Sequence, residues 1–149
     1  MRKRLVVTAG VIALCAAAGC SSKGGSYKDG TYTAKSAVYE GFADEDEEEG
    51  GDGYGVATIT VKDNKITGCE FTTYMTDGTV KDSEYGKQNG EIANQDYYNK
   101  AQRAVRASEN YAQQLAEKGE LSKVDAISGA TISYNEFKEA VQEALKQAK

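Results

Sequence analysis

Few side chains in this 149-residue sequence can do chemistry: it has no His and no Trp, and only three Cys. The group that stands out is Asp125-Ala126-Ile127-Ser128-Gly129-Ala130-Thr131, which fits the pattern Asp-x-x-Ser/Thr-Gly-Ala-Thr. Thr131 supplies a hydroxyl that can become a phosphoester. A free hydroxyl is a poor nucleophile without a base or a metal, and no His is available as that base. Thr131 is therefore a weak nucleophile on its own, and no catalytic residue is assigned. Gly129 and Ala130 keep its surroundings small, so that the loop can bend sharply. Asp125 and Ser128 are expected to order the loop by side-chain to backbone hydrogen bonds.

The elements that must position this loop lie between residues 29 and 149, because the start of the chain has another purpose. Arg2, Lys3 and Arg4 precede an uncharged run rich in Val, Ile, Leu and Ala, from Leu5 to Ala18. That run is too short for a permanent membrane span and reads as an export signal over residues 1–19. It ends in Ala17-Ala18-Gly19-Cys20-Ser21-Ser22, which resembles the lipobox of bacterial lipoproteins, with Ala17 where Leu is usual. The resemblance implies lipid on Cys20 and cleavage before it, and two acyl chains there suffice for stable anchoring. The alternative is an ordinary secretory signal cut after Ala16 to Ala18. Residues 20–28, with Gly24, Gly25 and Ser26, read as a flexible tether.

Of 18 basic residues three lie in the signal, so the mature chain sets 15 against 23 acidic groups, a formal charge of −8. That surface repels nucleic acid and anionic lipid. Cys15 lies in the signal and Cys20 is the lipid site, which leaves Cys69 as a strand residue without a disulfide partner or activating base. Asp44 to Glu49 are six consecutive acidic residues. Glu49 stands where an EF-hand loop needs Gly for its sharp turn, so the run reads as a solvated hairpin loop and not as a calcium site.

Strands are expected over Thr31–Tyr39, Tyr54–Lys62 and Ile66–Met75, the last two joined by a turn at Asp63-Asn64. A helix is expected over Ala93–Lys118, its stripe running through Ala101, Ala104, Val105, Ser108, Tyr111, Ala112 and Leu115, with Gly119 as C-cap. A last helix is expected from about Asn135, as N-cap, to Ala148, burying Phe137, Ala140, Val141, Ala144 and Leu145. Strands first and helices later give an α+β domain: an antiparallel sheet with helices packed on one side, the last helix following the Thr131 loop.

On these residues the chain resembles the FMN-binding domain of exported bacterial flavoproteins. The resemblance rests on Asp125, Ser128, Gly129, Ala130 and Thr131, on the opening Asp29-Gly30-Thr31-Tyr32, and on the hairpin Val61-Lys62-Asp63-Asn64-Lys65-Ile66, where Asn64 replaces the usual Gly. Asn tolerates positive φ, so the turn survives that change. The resemblance implies that an FMN transferase, using FAD, places FMN on the Thr131 hydroxyl as a covalent phosphoester, so that Thr131 is an attachment point and not a catalytic nucleophile, Gly129 and Ala130 let the loop enter the transferase's active site, and Asp125 has contact with the transferase as an alternative role. It implies a membrane-anchored electron carrier outside the cytoplasm, fed by a membrane quinone or reductase and delivering to soluble flavins, metal oxides or a partner reductase. No Gly-x-Gly-x-x-Gly, Cys-x-x-Cys-His or Cys cluster is present to bind NADH, haem or an iron–sulfur centre. Among ten Tyr, Tyr134 is the nearest candidate for stacking on the flavin, with Tyr74, Tyr97 and Tyr98 further candidates and a core role the alternative for each. Two other readings remain open at this point: a non-redox acidic surface lipoprotein binding a small molecule or cation, and a subunit of a larger membrane redox complex.

Overall fold

The computed structural model describes residues 26–40 and 52–149. The export signal, Cys20, most of the tether and the acidic run 44–49 lie outside the described residues. Three strands, β1 (Gly30–Lys35), β2 (Gly53–Lys62) and β3 (Lys65–Met75), form one antiparallel sheet in the order β1-β2-β3. Two helices follow, α1 (Gln95–Lys118) and α2 (Thr131–Gln147), with a single 3-10 turn over Leu121–Lys123 between them. The α+β class and the antiparallel hairpin are as the sequence predicts.

The hairpin forms where local chemistry demands it. Asp63 and Asn64 take φ of 51° and 63°, the pair of left-handed residues that a tight two-residue turn with right-handed strand twist requires. Asn64 also works as a side chain, because its Oδ1 accepts from Tyr27 N at 2.7 Å, while Asp29 Oδ1 accepts from Asp63 N at 2.9 Å. The opening Asp29 and the turn thus hold each other. β1 is shorter than expected and ends at Lys35, although Tyr39 still bridges to Gly53.

Alternation along the strands sends Tyr32, Ala34, Ala57, Ile59, Val61 and Phe71 to one face, and both helices cover it, α1 against β3 and α2 against β1 and β2. Tyr111, Leu115, Phe137, Ala140, Val141 and Ala144 are the helices' buried contribution. Phe137 meets the Phe71 ring edge-on at 5.2 Å and stacks on Tyr111 at 5.5 Å. Gly55 makes room for this layer, since a Cβ there would stand 2.4 Å from the Phe71 ring. The opposite face of the sheet carries hydroxyls, with Thr33 and Thr58 bonded at 2.8 Å.

α1 is capped at both ends. Asn94 accepts from Tyr97 N at 3.0 Å, and Gly119 adopts φ 74° with its N–H donating to Leu115 O. Gly119 is the C-cap the sequence implies. The start of α2 differs from the sequence reading. Asn135 is not the N-cap; the helix begins four residues earlier, at Thr131, with Ala130 in the cap position. Its start is set by contacts to α1 that local capping rules do not contain.

Candidate functional site

The loop from Val124 to Ala130 joins the 3-10 turn to α2, and its conformation is fixed by three side chains of α1. Ile127 to Ala130 form a β-turn closed by Ala130 N donating to Ile127 O at 3.2 Å. Gly129, third in that turn, has φ 78°. A side chain there costs roughly 1–2 kcal/mol, so the Gly of the motif has a backbone reason. Ala130 is 0% exposed and Gly129 is buried, whereas Ser128 and Thr131 are exposed.

Tyr111 is the clamp. Its phenol oxygen accepts from Ile127 N at 3.0 Å and donates to Ala130 O at 3.2 Å, bonding both ends of the turn from a ring that is 0% exposed. Ala130 O also receives Tyr134 N at 3.0 Å, the first hydrogen bond of α2. The helix therefore starts at Thr131 because Tyr111 and Tyr134 together hold the Ala130 carbonyl. One turn further along α1, Gln114 embraces the backbone of Asp125: its Oε1 accepts from Asp125 N at 2.9 Å and its Nε2 donates to Asp125 O at 3.3 Å. Lys118 Nζ then donates to Asp125 Oδ2 at 2.7 Å and to Gln114 Oε1 at 3.0 Å. The Asp125 side chain is 85% exposed, so this ion pair adds little to stability.

Asp125 is therefore not the residue that orders the loop. Its backbone is what is held, its carboxylate points outward to Lys118, and the ordering side chains are Tyr111, Gln114 and Lys118. Sequence reasoning placed Tyr111 in the apolar stripe of α1 and assigned nothing to Gln114 or Lys118. The available signal was the polar row Asn110, Gln114, Lys118 at spacing four beside that stripe.

Thr131 is the first residue of α2, one position further into the helix than a loop residue would be. Ala130 has no side chain to cap the helix, and the first turn contains no carboxylate. The positive end of the helix macrodipole thus lies beside the Thr131 hydroxyl with no acidic residue in its own turn, a setting that suits a phosphate there. Tyr134 lies one turn on, half-buried, with its ring 5.4 Å from that of Tyr111.

The other aromatic candidates sit elsewhere. Tyr97 lies in the first turn of α1, about 21 Å along the helix axis from Tyr111. Tyr98 is beside it and donates to Ser83 O at 3.1 Å. Tyr74 stacks on Tyr54 at 5.4 Å across β2 and β3. Cys69 is a half-buried residue of β3 whose thiol is pushed up to about 12 by burial, with the neighbouring Glu70 adding to it. It remains a neutral thiol and offers no nucleophile. Among the described residues no group of three His, Cys, Asp or Glu side chains is placed to hold a metal ion, and no helix is long and apolar enough to cross a membrane.

The family model described as FMN-binding domain matches residues 50–146, which takes in the β2–β3 hairpin, α1, the 125–131 motif and almost all of α2, and leaves out β1. Two solved structures are similar. A crystal structure of a Clostridium perfringens protein is 25% identical, with 82% of this chain and 88% of that chain covered and a TM-score of 0.50. A solution NMR structure from Clostridium thermocellum is 25% identical, with 82% and 92% covered and a TM-score of 0.44. None of the curated proteins matches.

Proposed function

Because the chain belongs to the FMN-binding domain family, and is thus a flavin-binding protein with FMN as its cofactor, we propose that FMN is held covalently on the Thr131 hydroxyl. The observation that carries this reading is the exposure of Thr131 at the first position of α2, on a turn whose backbone is bonded into the fold while Ser128 and Thr131 face outward.

The attachment is a transfer from FAD. The Thr131 oxygen forms a bond to the phosphorus of the FMN half, the pyrophosphate bond breaks, AMP leaves, and the hydroxyl proton passes to a base of the FMN transferase. The chain's own residues supply the presentation. Gly129 gives the turn its left-handed residue, Ala130 packs inward, and Tyr111 holds both ends of the turn, so the acceptor hydroxyl is offered in a defined direction. The start of α2 then stabilises the phosphoester charge. Asp125 and Ser128 stand on the same exposed edge as a surface for the transferase to read.

FMN bound there supplies one- and two-electron redox chemistry. With lipid on Cys20 and a short tether, the domain is a carrier held at the extracytoplasmic face of the bacterial membrane, taking electrons from a membrane quinone or reductase and passing them to extracellular or partner acceptors. Tethering keeps the flavin at high local concentration near its donor.

Intact mass of the protein recovered from its native membrane tests both attachments in one spectrum, lipid at Cys20 and one FMN elsewhere. After coexpression with an FMN transferase, wild type is expected to gain one FMN that survives denaturation, and Thr131→Val none. An adduct of the same mass on Thr131→Val removes the site assignment, and a native protein without FMN removes the covalent reading.

A further inference from the structure

Thr131 is the first member of a row that runs the length of α2. At 100° per residue, Thr131, Tyr134, Lys138, Gln142 and Leu145 fall within about 80° of one another on one helix face. All but Thr131 line a groove of about 830 Å³, whose far wall is built by Leu121 of the 3-10 turn and by Ile66 at the start of β3. This volume lies within the range of small-molecule and cofactor sites. The wall is fixed in place, because Ile66 N donates to Gly119 O at 3.2 Å and ties the end of α1 to the hairpin.

The groove has the composition of a seat for a planar aromatic ring with a polar edge. Ile66 is buried, and Tyr134, Leu121 and Leu145 are half-buried side chains packed on the core, so the floor is apolar and aromatic. Lys138 and Gln142 are exposed at the rim on the α2 side. Lys65 adds a second cation, and the one carboxylate of the lining, Glu120, is engaged by Lys123 at 2.8 Å. The groove is therefore electropositive on a chain that is acidic overall.

We propose that this groove seats the isoalloxazine ring of the FMN carried on Thr131, with Tyr134 and Leu121 flanking the ring and Lys138 as the positive charge that favours its reduced, anionic form. The inference rests on the attachment of FMN to Thr131. Lys138 lies about 10 Å along the helix from Thr131, two turns, an interval the extended ribityl arm spans. A ring at that distance meets the groove and stays clear of the sheet's open face. Gln142 offers both a donor and an acceptor to the pyrimidine edge of the ring. Tyr134 offers an aromatic side, its ring packed at a tilt of 58° against that of Tyr111.

The test uses protein loaded by an FMN transferase, with one FMN per chain verified by intact mass before any other reading. Flavin fluorescence and the midpoint potential are then measured on wild type and on Lys138→Gln, Gln142→Glu and Lys146→Gln. Lys146 lies near the end of α2, paired with Glu143 and outside the groove, so its loss removes the same charge from the same helix. Wild-type fluorescence is expected to be quenched several-fold relative to free FMN. Lys138→Gln and Gln142→Glu should each lower the preference for the reduced form about tenfold, which is about 30 mV for a two-electron couple, while Lys146→Gln leaves the potential where it is. FMN present by mass but as fluorescent as free FMN, or equal shifts for Lys138→Gln and Lys146→Gln, overturns the groove alone. Absence of FMN from Thr131 overturns the attachment reading and the groove with it.

Discussion

Replacing Tyr111 by Phe removes one oxygen and leaves the ring that stacks on Phe137 in place. That oxygen serves two backbone groups nineteen and sixteen residues away, Ala130 O at 3.2 Å and Ile127 N at 3.0 Å. The two losses are unequal. Ala130 O keeps Tyr134 N as a partner, whereas Ile127 N, in a part-buried position, loses the hydrogen bond that the phenol oxygen accepts. A neutral hydrogen bond contributes about 1 kcal/mol net, and a buried donor left unsatisfied costs about 1–3 kcal/mol, so the change is expected to cost about 2 kcal/mol. For a domain of this size the unfolding entropy is about 0.25 kcal/mol/K, which turns that loss into a Tm lower by about 8 °C. Denaturant unfolding gives the energy, and hydrogen exchange at the Ile127 amide reports the site itself. Tyr111→Phe should release Ile127 from protection while leaving core amides of β2 as protected, relative to global stability, as in wild type. FMN loading by a transferase should slow, because the turn that presents Thr131 no longer holds one shape. An Ile127 amide as protected in Tyr111→Phe as in wild type, with Tm unchanged within about 2 °C, would refute the clamp.

Gly129→Ala places a Cβ on a residue at φ 78° and should cost about 1–2 kcal/mol by denaturant unfolding and impair FMN loading, whereas Ala126→Gly, in the same loop, should leave loading intact. Cys69 should resist alkylation at pH 8 in the folded protein and react once unfolded, because burial holds its thiol neutral. The same shift fixes a pH dependence: the folded thiol, at about 12, keeps its proton where the unfolded thiol has lost it, so this contribution is fully present below about pH 8.5 and falls as pH rises toward 12. A Cys69→Ala variant should show a flatter loss of stability across that range. Asp29→Ala removes the acceptor for Asp63 N and should cost roughly 1 kcal/mol, read as a lower denaturant midpoint.

What was legible in the sequence is what nearest neighbours decide. Asp63-Asn64 specifies a hairpin from two residues, Gly119 ends α1 by its own conformational freedom, and alternation along β2 separates the covered face from the open one. Cys69 fell where its strand pattern put it. The start of α2 was not legible, because Asn135 has the side chain of a good cap while the true start depends on a carbonyl held by a phenol from another helix. The roles of Gln114 and Lys118 were hidden for the same reason: each is an ordinary exposed-face residue of α1 until the chain returns and places Asp125 against it. The groove beside α2 draws on the segment before β1, the hairpin, the 3-10 turn and α2, and only the folded topology brings those four together.

The loop's bonding separates two tasks that a short motif would otherwise have to share. Its backbone is held from within, at Asp125 by Gln114 and at Ile127 and Ala130 by Tyr111, all from one helix that is itself capped at both ends. Its polar side chains, Asp125, Ser128 and Thr131, are all exposed, and the motif residues turned inward, Gly129 and Ala130, have no functional group to lose by burial. A site that worked by its own catalysis would need the reverse, with polar groups converging on the acceptor and water excluded around them. On the proposed reading Thr131 is instead an acceptor exposed at the start of α2, and the rigidity that gives it direction comes from α1. The same separation makes the roles testable apart from one another: changes at Tyr111 should alter both stability and loading, while Ser128→Ala, at an exposed position, should alter loading with a stability change within about 0.5 kcal/mol. Equal loading of Ser128→Ala and wild type, at matched transferase and FAD, would mean that the transferase recognises the backbone shape of the turn and not its outward side chains.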